Sequence, residues 1–358
     1  MNNRKRSLLV LLVLGLVATG CGGTEADATP VRLQLQWVTQ AQFAGYFAAV
    51  EQGFYGEEGL DVTILEGAVD IVPQAQVATG AAEFGIAWVP KALVSREEGA
   101  NLVNIGQVFQ RSGTLEVSWA DSGIVSPEDW AGKKVGTWGF GNEFELTAAF
   151  ALFDVEPGEV VSQPFDMSLL LNREIDAAQA MTYNEYAQVL EAVNPDTGEL
   201  YQPEDLSVIN FNDIGTAMLQ DAIWADEAWL ADNEETASAF LRASFRGWIY
   251  CRDNPDECVQ MVLDRGSALG ASHQAWQMNE INALIWPSAG GIGVVDATSW
   301  AQTIEVAVGQ EVISADPGTA AYRTDLATGA VAALEEDGLD TRGSGFQKTE
   351  VVLTEGGD

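Results

Sequence analysis

Along residues 31–36 apolar and polar side chains alternate, Val31, Leu33 and Leu35 against Arg32, Gln34 and Gln36, the two-residue period of a half-buried strand. After Gln42 the spacing lengthens. Phe43, Phe47 and Val50 recur at helical intervals, and Gly53 stands where that helix would end. A second strand is predicted over residues 61–65, a helix over 71–79 closed by Gly80, and a short apolar strand over 84–87. Strand and helix alternating in this way predict a parallel sheet with helices outside it. Two more strands are predicted over 102–107 and 114–119. Ser126, Pro127, Glu128 and Asp129 then supply a cap, a first-turn proline and acids set against the helix dipole, which opens a second unit. That unit continues through a strand over 134–137, a turn over 138–142, a helix over 143–153 and a strand over 178–181. A loop follows over 192–205; a strand over 206–211 and the segment 215–220 lead the chain back to the first unit.

The first twenty residues follow another pattern. Arg4, Lys5 and Arg6 precede an apolar run from Leu8 to Val17 that only Gly15 interrupts, too short to span a bilayer and characteristic of a signal peptide. Val17-Ala18-Thr19-Gly20-Cys21 resembles the lipobox at which bacterial lipoproteins are cleaved and acylated. That resemblance implies a lipid, palmitate included, on Cys21 and a location on the extracytoplasmic face of the cell membrane, held by the lipid alone. Gly22 to Asp27 read as a flexible tether. The rest of the chain is longer than one hydrophobic core usually serves. The expected organisation is a signal peptide over 1–20, a lipidated tether over 21–30, a discontinuous first lobe over 31–122 and 216–342, a second lobe over 123–215, and a loosely held C-terminal tail over 343–358.

Charge narrows the partners. Lys and Arg number 17 against 53 Asp and Glu, a net charge of −36. Such a surface repels nucleic acid and anionic lipid and favours neutral or cationic ligands. Cys251 and Cys258 are a candidate disulfide in an exported chain. His273 is the only histidine and reads as structural, so neither a metal site nor catalytic residues are expected. The chain is expected to be a monomer.

Two α/β lobes joined by two chain crossings leave a cleft, and such sheets bind ligands at the carboxyl ends of their strands. Trp37, Trp88, Trp138 and Tyr183 all fall there. Each alone reads as a packing residue; four at matching places in two lobes read as the walls of a site for a flat ring. Gln36, Gln42, Asn142, Asn184 and Glu185 lie beside them and supply donors and acceptors, with loop capping as the competing role.

The segments Leu35-Gln36-Trp37, Gln42 to Phe47, Glu51 to Tyr55 and Glu58 to Val62, with Gln76 to Gly80, Trp130 to Gly136 and Ala180 to Glu185, resemble the substrate-binding proteins related to thiamine-pyrimidine synthase. The resemblance implies the type II periplasmic-binding-protein fold, α/β lobes closing on a ligand between them, and permease and ATPase subunits of an ABC importer as partners. Pyrimidine-binding members carry proline, asparagines and a histidine after the first-strand tryptophan. Here the loop reads Val38-Thr39-Gln40-Ala41-Gln42-Phe43, with Phe43 at the histidine position, and resembles the riboflavin-binding lipoproteins of that family. The ligand implied is riboflavin, transported rather than held as a cofactor. The implied ligand-binding residues are Gln36, Trp37, Gln42, Tyr46, Trp88, Trp138, Asn142, Tyr183, Asn184 and Glu185. The alternatives are a thiamine-precursor pyrimidine as ligand, or a pyrimidine-synthase-like enzyme.

Overall fold

The computed structural model describes residues 28–357. The signal peptide, Cys21 and most of the tether lie outside the described residues. Ten strands form two five-stranded sheets. The first contains β1 (Thr29–Gln34), β2 (Leu60–Leu65), β3 (Phe84–Ala87), β4 (Leu102–Gln107) and β10 (Ala222–Asp226), in the order β2-β1-β3-β10-β4. β1 runs parallel to β2 and β3, with Thr29 opposite Leu60 and Leu33 opposite Phe84, while β10 is antiparallel to both its neighbours. The second sheet contains β5 (Thr114–Trp119), β6 (Lys134–Thr137), β7 (Glu159–Ser162), β8 (Ala177–Met181) and β9 (Leu206–Asn210), in the order β7-β6-β8-β5-β9. Here β5 is the antiparallel member. Helices cover the sheet faces, as parallel pairing requires. This is the type II periplasmic-binding-protein fold.

β5 corrects the expected lobe boundary. Its six residues are all buried between β8 and β9, so the first crossing runs over residues 108–113 and not near 122. An antiparallel central strand has the same apolar pattern whichever sheet it joins, and periodicity carries no information about that choice. The second crossing runs between β9 and β10. The two crossings bond to each other: the Phe109 amide donates to the Asp221 carbonyl at 3.1 Å and the Gly113 amide to Gln220 Oε1 at 2.8 Å.

In the first lobe the helices Ala44–Glu51 and Glu234–Asp253 pack almost backbone to backbone. A Cβ on Gly45 would stand 2.2 Å from the Trp248 ring, and one on Gly247 would stand 2.0 Å from the Gly45 carbonyl oxygen. Only glycine allows this approach, and it anchors the helix that follows Gln42. Cys251 and Cys258 are joined, with Cα atoms 5.5 Å apart, tying Glu234–Asp253 to Pro255–Asp264.

The C-terminal tail is not loosely held. Phe346 packs on the first lobe's core and Leu353 on the second's. Thr349 exchanges two hydrogen bonds with the Asn279 side chain, at 2.9 and 3.0 Å, and the Gly356 amide reaches the Glu191 carbonyl at 3.2 Å. Its partners are side chains and isolated carbonyls, which leave no periodic trace in the sequence. His273 also bridges the lobes, one ring nitrogen 2.8 Å from Glu191 and the other 2.9 Å from Asn184 Oδ1.

Candidate functional site

Between the lobes lies a cavity of about 360 Å³. The strand ends explain who lines it. β3 ends at Ala87 and delivers Trp88; β6 ends at Thr137 and delivers Trp138; β8 ends at Met181 and sets Tyr183 two residues on. Trp37 follows β1 by three residues. All four reach the cavity, and Trp88, Trp138 and Tyr183 belong to one apolar cluster against which Trp37 packs. Phe165, on the loop after β7, closes the wall: its ring lies 4.9 Å from Trp37 across the cleft and stacks on Trp138 at 6.2 Å with the planes 16° apart. Gly139, Phe140 and Gly141 have φ of 69°, 56° and 83°, a left-handed turn that carries Phe140 out over the mouth of the cavity.

Gln36, Gln42, Asn142, Asn184 and Glu185 line the cavity as well. Tyr46 does not. It is buried in the first lobe's core, its ring edge-on to Trp248 at 5.6 Å, because the helix beginning at Ala44 turns that position away from the cleft. Asn184 and Glu185 are committed to each other and to the frame. Asn184 Nδ2 donates to Glu185 Oε1 at 2.7 Å, the Met181 amide donates to Glu185 Oε2 at 3.0 Å, and Gln277 and His273 meet Asn184 Oδ1. Burial pushes the Glu185 carboxyl above its ordinary range, those bonds opposing it.

Two charged residues without a place in the sequence-based expectation organise the first lobe's wall. Asp221, in the second crossing, sits behind the cavity and accepts from Gln36 Nε2 at 2.5 Å, Trp88 Nε1 at 3.0 Å and Gln42 Nε2 at 2.9 Å. Burial pushes its carboxyl up to about 6, against the pull of these donors. Lys91, one helical turn from Trp88, donates to Asn142 Oδ1 at 2.7 Å, bridging the lobes, and its ammonium stands 4.8 Å from the Trp88 ring centroid. Burial pushes Lys91 down to about 8, opposed by Glu143 and Asp221. Gln40 and Gln74 also line the cavity. Lys91 had a local signal, a cation three residues past a strand-end tryptophan. Asp221 had none, since its partners lie between 133 and 185 residues away.

The model of the NMT1/THI5-like family matches residues 40–258, more than half of the chain. The chain belongs to the NMT1/THI5-like family. This NMT1/THI5-like chain is 24% identical over 306 residues to the formylaminopyrimidine-binding protein of Halalkalibacterium halodurans, covering 83% of the chain and 90% of that relative. It is 24% identical over 294 residues to the riboflavin-binding protein RibY of Chloroflexus aurantiacus, covering 77% and 79%. A 4-amino-5-hydroxymethyl-2-methylpyrimidine phosphate synthase of Legionella pneumophila is 24% identical over 234 residues, covering 65% and 72%. Among solved structures, the periplasmic aliphatic sulphonate binding protein SsuA of Escherichia coli superposes with a TM-score of 0.58 at 15% identity, over 90% of this chain and 94% of that one. The periplasmic nitrate-binding protein NrtA of Synechocystis PCC 6803 superposes with a TM-score of 0.57 at 16% identity, over 92% and 95%. At such identities these likenesses speak for the NMT1/THI5-like chain's fold and leave its ligand to the site.

Proposed function

We propose that this protein is the solute-binding component of an ABC-type importer and that it captures riboflavin. The observation that carries the reading is the aromatic cleft. Trp37, Trp88, Trp138, Tyr183 and Phe165, from both lobes, face one cavity of about 360 Å³. A single pyrimidine ring would leave much of that space to water, whereas three fused rings with part of a ribityl chain fill it. Flat faces suit an uncharged heteroaromatic, and the glutamines beside them suit its polar edge. Lys91 is the one cation among the lining residues, and it is engaged with Asn142, which argues against a strongly anionic solute. The riboflavin-binding relative supports the reading.

The test is a titration of the chain lacking residues 1–21 with riboflavin. Flavin fluorescence is expected to be quenched and the protein stabilised by about 2.7 kcal/mol at a hundredfold excess over Kd. Unquenched flavin with an unmoved melting temperature would overturn the assignment. The formylaminopyrimidine-binding relative supports a second reading, a thiamine-precursor pyrimidine, and competition between the two ligands separates them. Recovery of the bound ligand chemically unchanged after prolonged incubation distinguishes capture from a synthase-like reaction.

Lipid anchoring through Cys21 belongs to the same proposal. No helix among the described residues is long and apolar enough to cross a membrane. The full chain is expected in the membrane fraction and a Cys21→Ser variant in the soluble fraction; equal partitioning of the two would count against the anchor.

A further inference from the structure

Asp221 acts on the cavity without lining it. A carboxylate only accepts hydrogen bonds, so whichever amide atom faces it must be the nitrogen. Gln42 therefore turns Nε2 to Asp221 Oδ2 at 2.9 Å and is left with Oε1 pointing the other way. Gln40 meets that oxygen with its own Nε2 at 2.7 Å. By elimination, the remaining atom of Gln40 is an acceptor. Gln40 Oε1 is buried and has no partner in the protein, and Gln40 lines the cavity. Gln36 is oriented in the same way: its Nε2 is spent on Asp221 Oδ1 at 2.5 Å, and its Oε1 remains.

The facing wall carries the opposite demand. Trp138 lines the cavity from the second lobe, and its Nε1, which can only donate, is buried with no partner. Buried polar groups are costly when unpaired, so a site that leaves an acceptor on one side and a donor on the other is complete only when a ligand answers both.

We infer that Asp221 is a positioning residue that, through Gln36, Gln42 and Gln40, makes the first lobe's wall an acceptor surface and thereby selects ring systems presenting an N–H edge to it. The inference rests on the proposed binding role and deepens it. It applies to an isoalloxazine, whose pyrimidine-like ring carries one N–H, and equally to an aminopyrimidine, whose donor is an exocyclic amine. In either case the same ring with every hydrogen on that nitrogen replaced by methyl should be refused, because the substitution removes the donor and also sets a methyl group against a buried oxygen. Sites built to hydrogen-bond a ligand reject analogues lacking the group far more strongly than apolar pockets reject a missing methylene.

The test compares riboflavin with 3-methylriboflavin on wild type and on Asp221→Asn. Wild type is expected to prefer riboflavin by at least about 30-fold. In Asp221→Asn the oxygen that remains stays with Trp88 Nε1 and Gln36, while the NH2 takes the place of Oδ2 and turns Gln42 and then Gln40 over, so that Gln40 presents a donor and the preference is expected to shrink below about 5-fold. The unliganded melting temperature of both proteins controls for a structural effect, which would weaken both flavins equally and leave the ratio unchanged. Equal affinity of wild type for the two flavins overturns the inference while riboflavin capture stands; an undiminished preference in Asp221→Asn overturns it too. Should riboflavin not bind, the ligand assignment has failed, and the comparison is made with 4-amino-5-hydroxymethyl-2-methylpyrimidine and its dimethylamino analogue.

A measurement without ligand tests the relay itself. In protein labelled with 15N at glutamine side chains, the amide resonances of Gln36, Gln42 and Gln40 should shift together as pH falls through the titration of Asp221. Asp221→Asn should remove that shift, and the nearby Lys91, which titrates well above this range, should not reproduce it. A Gln40 amide that stays still while Gln42 moves overturns the relay.

Discussion

Trp37→Ala is expected to weaken riboflavin binding about 100-fold while shifting the unliganded melting temperature by only about 2–4 °C. Trp37 is partly exposed, packs on the edge of the first lobe's core, and reaches across the cleft to Phe165 at 4.9 Å. Its removal therefore opens no deep cavity in either lobe. It does strip one face from the site and one contact from the closed arrangement. Covering an indole face contributes about 2 kcal/mol by area, and ring stacking adds about 1 kcal/mol, which together correspond to roughly two decades in Kd. Trp37→Phe keeps a flat ring and should recover most of the loss. Isothermal titration of the three proteins checks this; a Trp37→Ala variant that binds within about threefold of wild type would show that the flat ligand lies elsewhere.

The aromatic walls were legible because topology does the work: in α/β sheets the residue after a strand's carboxyl end faces the cleft, so locating β3, β6 and β8 located Trp88, Trp138 and Tyr183. Tyr46 misled because the helical spacing after Gln42 fixes that one face is buried and not what it is buried against. Two strands were missed for opposite reasons. β7 is a four-residue edge strand with exposed or half-exposed side chains, and β10 is short and buried over its first four residues, which leaves no alternation of apolar and polar positions to mark it. Missing β10 also hid Asp221, which directly precedes it. The lobe boundary went astray at β5 because the sheet a strand joins is decided by long-range pairing, with Leu115 opposite both Ala180 and Asn210. Phe165 was unreadable for the same reason as β7, whose end positions it.

The unliganded protein is expected to be most stable near pH 4 and to lose at least about 4 kcal/mol between about pH 5 and 7.5, the share of two carboxyls buried at the hinge, with burial raising Glu116, Glu185 and Glu280 in the same direction. Glu145 accepts from Ser112 in the first crossing, at 3.0 Å, and from the Met218 amide in the second, at 2.5 Å. Burial pushes it up to about 7, against those bonds, and pushes Asp221, also in the second crossing, up to about 6. A carboxyl whose folded pKa lies above its unfolded value near 4 binds its proton more tightly in the native state. Stability therefore falls as pH rises from about 4 to 6 for Asp221 and from about 4.5 to 7 for Glu145, and is level above that. A tenfold difference in proton affinity between the folded and unfolded chain is worth about 1.4 kcal/mol, so each group costs about 3 kcal/mol once fully ionised. Part of the Asp221 cost is already present at pH 5, which is why the loss above that pH is smaller than the two costs combined. Carboxyls displaced the other way, such as Asp325, which Arg323 holds below its ordinary range, act only below about pH 4 and lie outside this window. Glu145→Gln should be diagnostic. The amide oxygen still accepts from Met218 and no charge is buried; Ser112 Oγ, which already accepts from the Thr114 amide and Gln220 Nε2, loses its oxyanion partner in the amide as it does when the carboxyl is protonated. The variant should match wild type at about pH 4.5 and exceed it by about 2–3 kcal/mol at about pH 7.5, read from urea unfolding at both pH values. A wild-type stability that rises over that interval, or a Glu145→Gln variant no more stable than wild type at its upper end, would show that these carboxyls are not desolvated at the hinge. If the pattern holds, this hinge retains charges that cost stability because their acceptor geometry ties both crossings to the cleft wall.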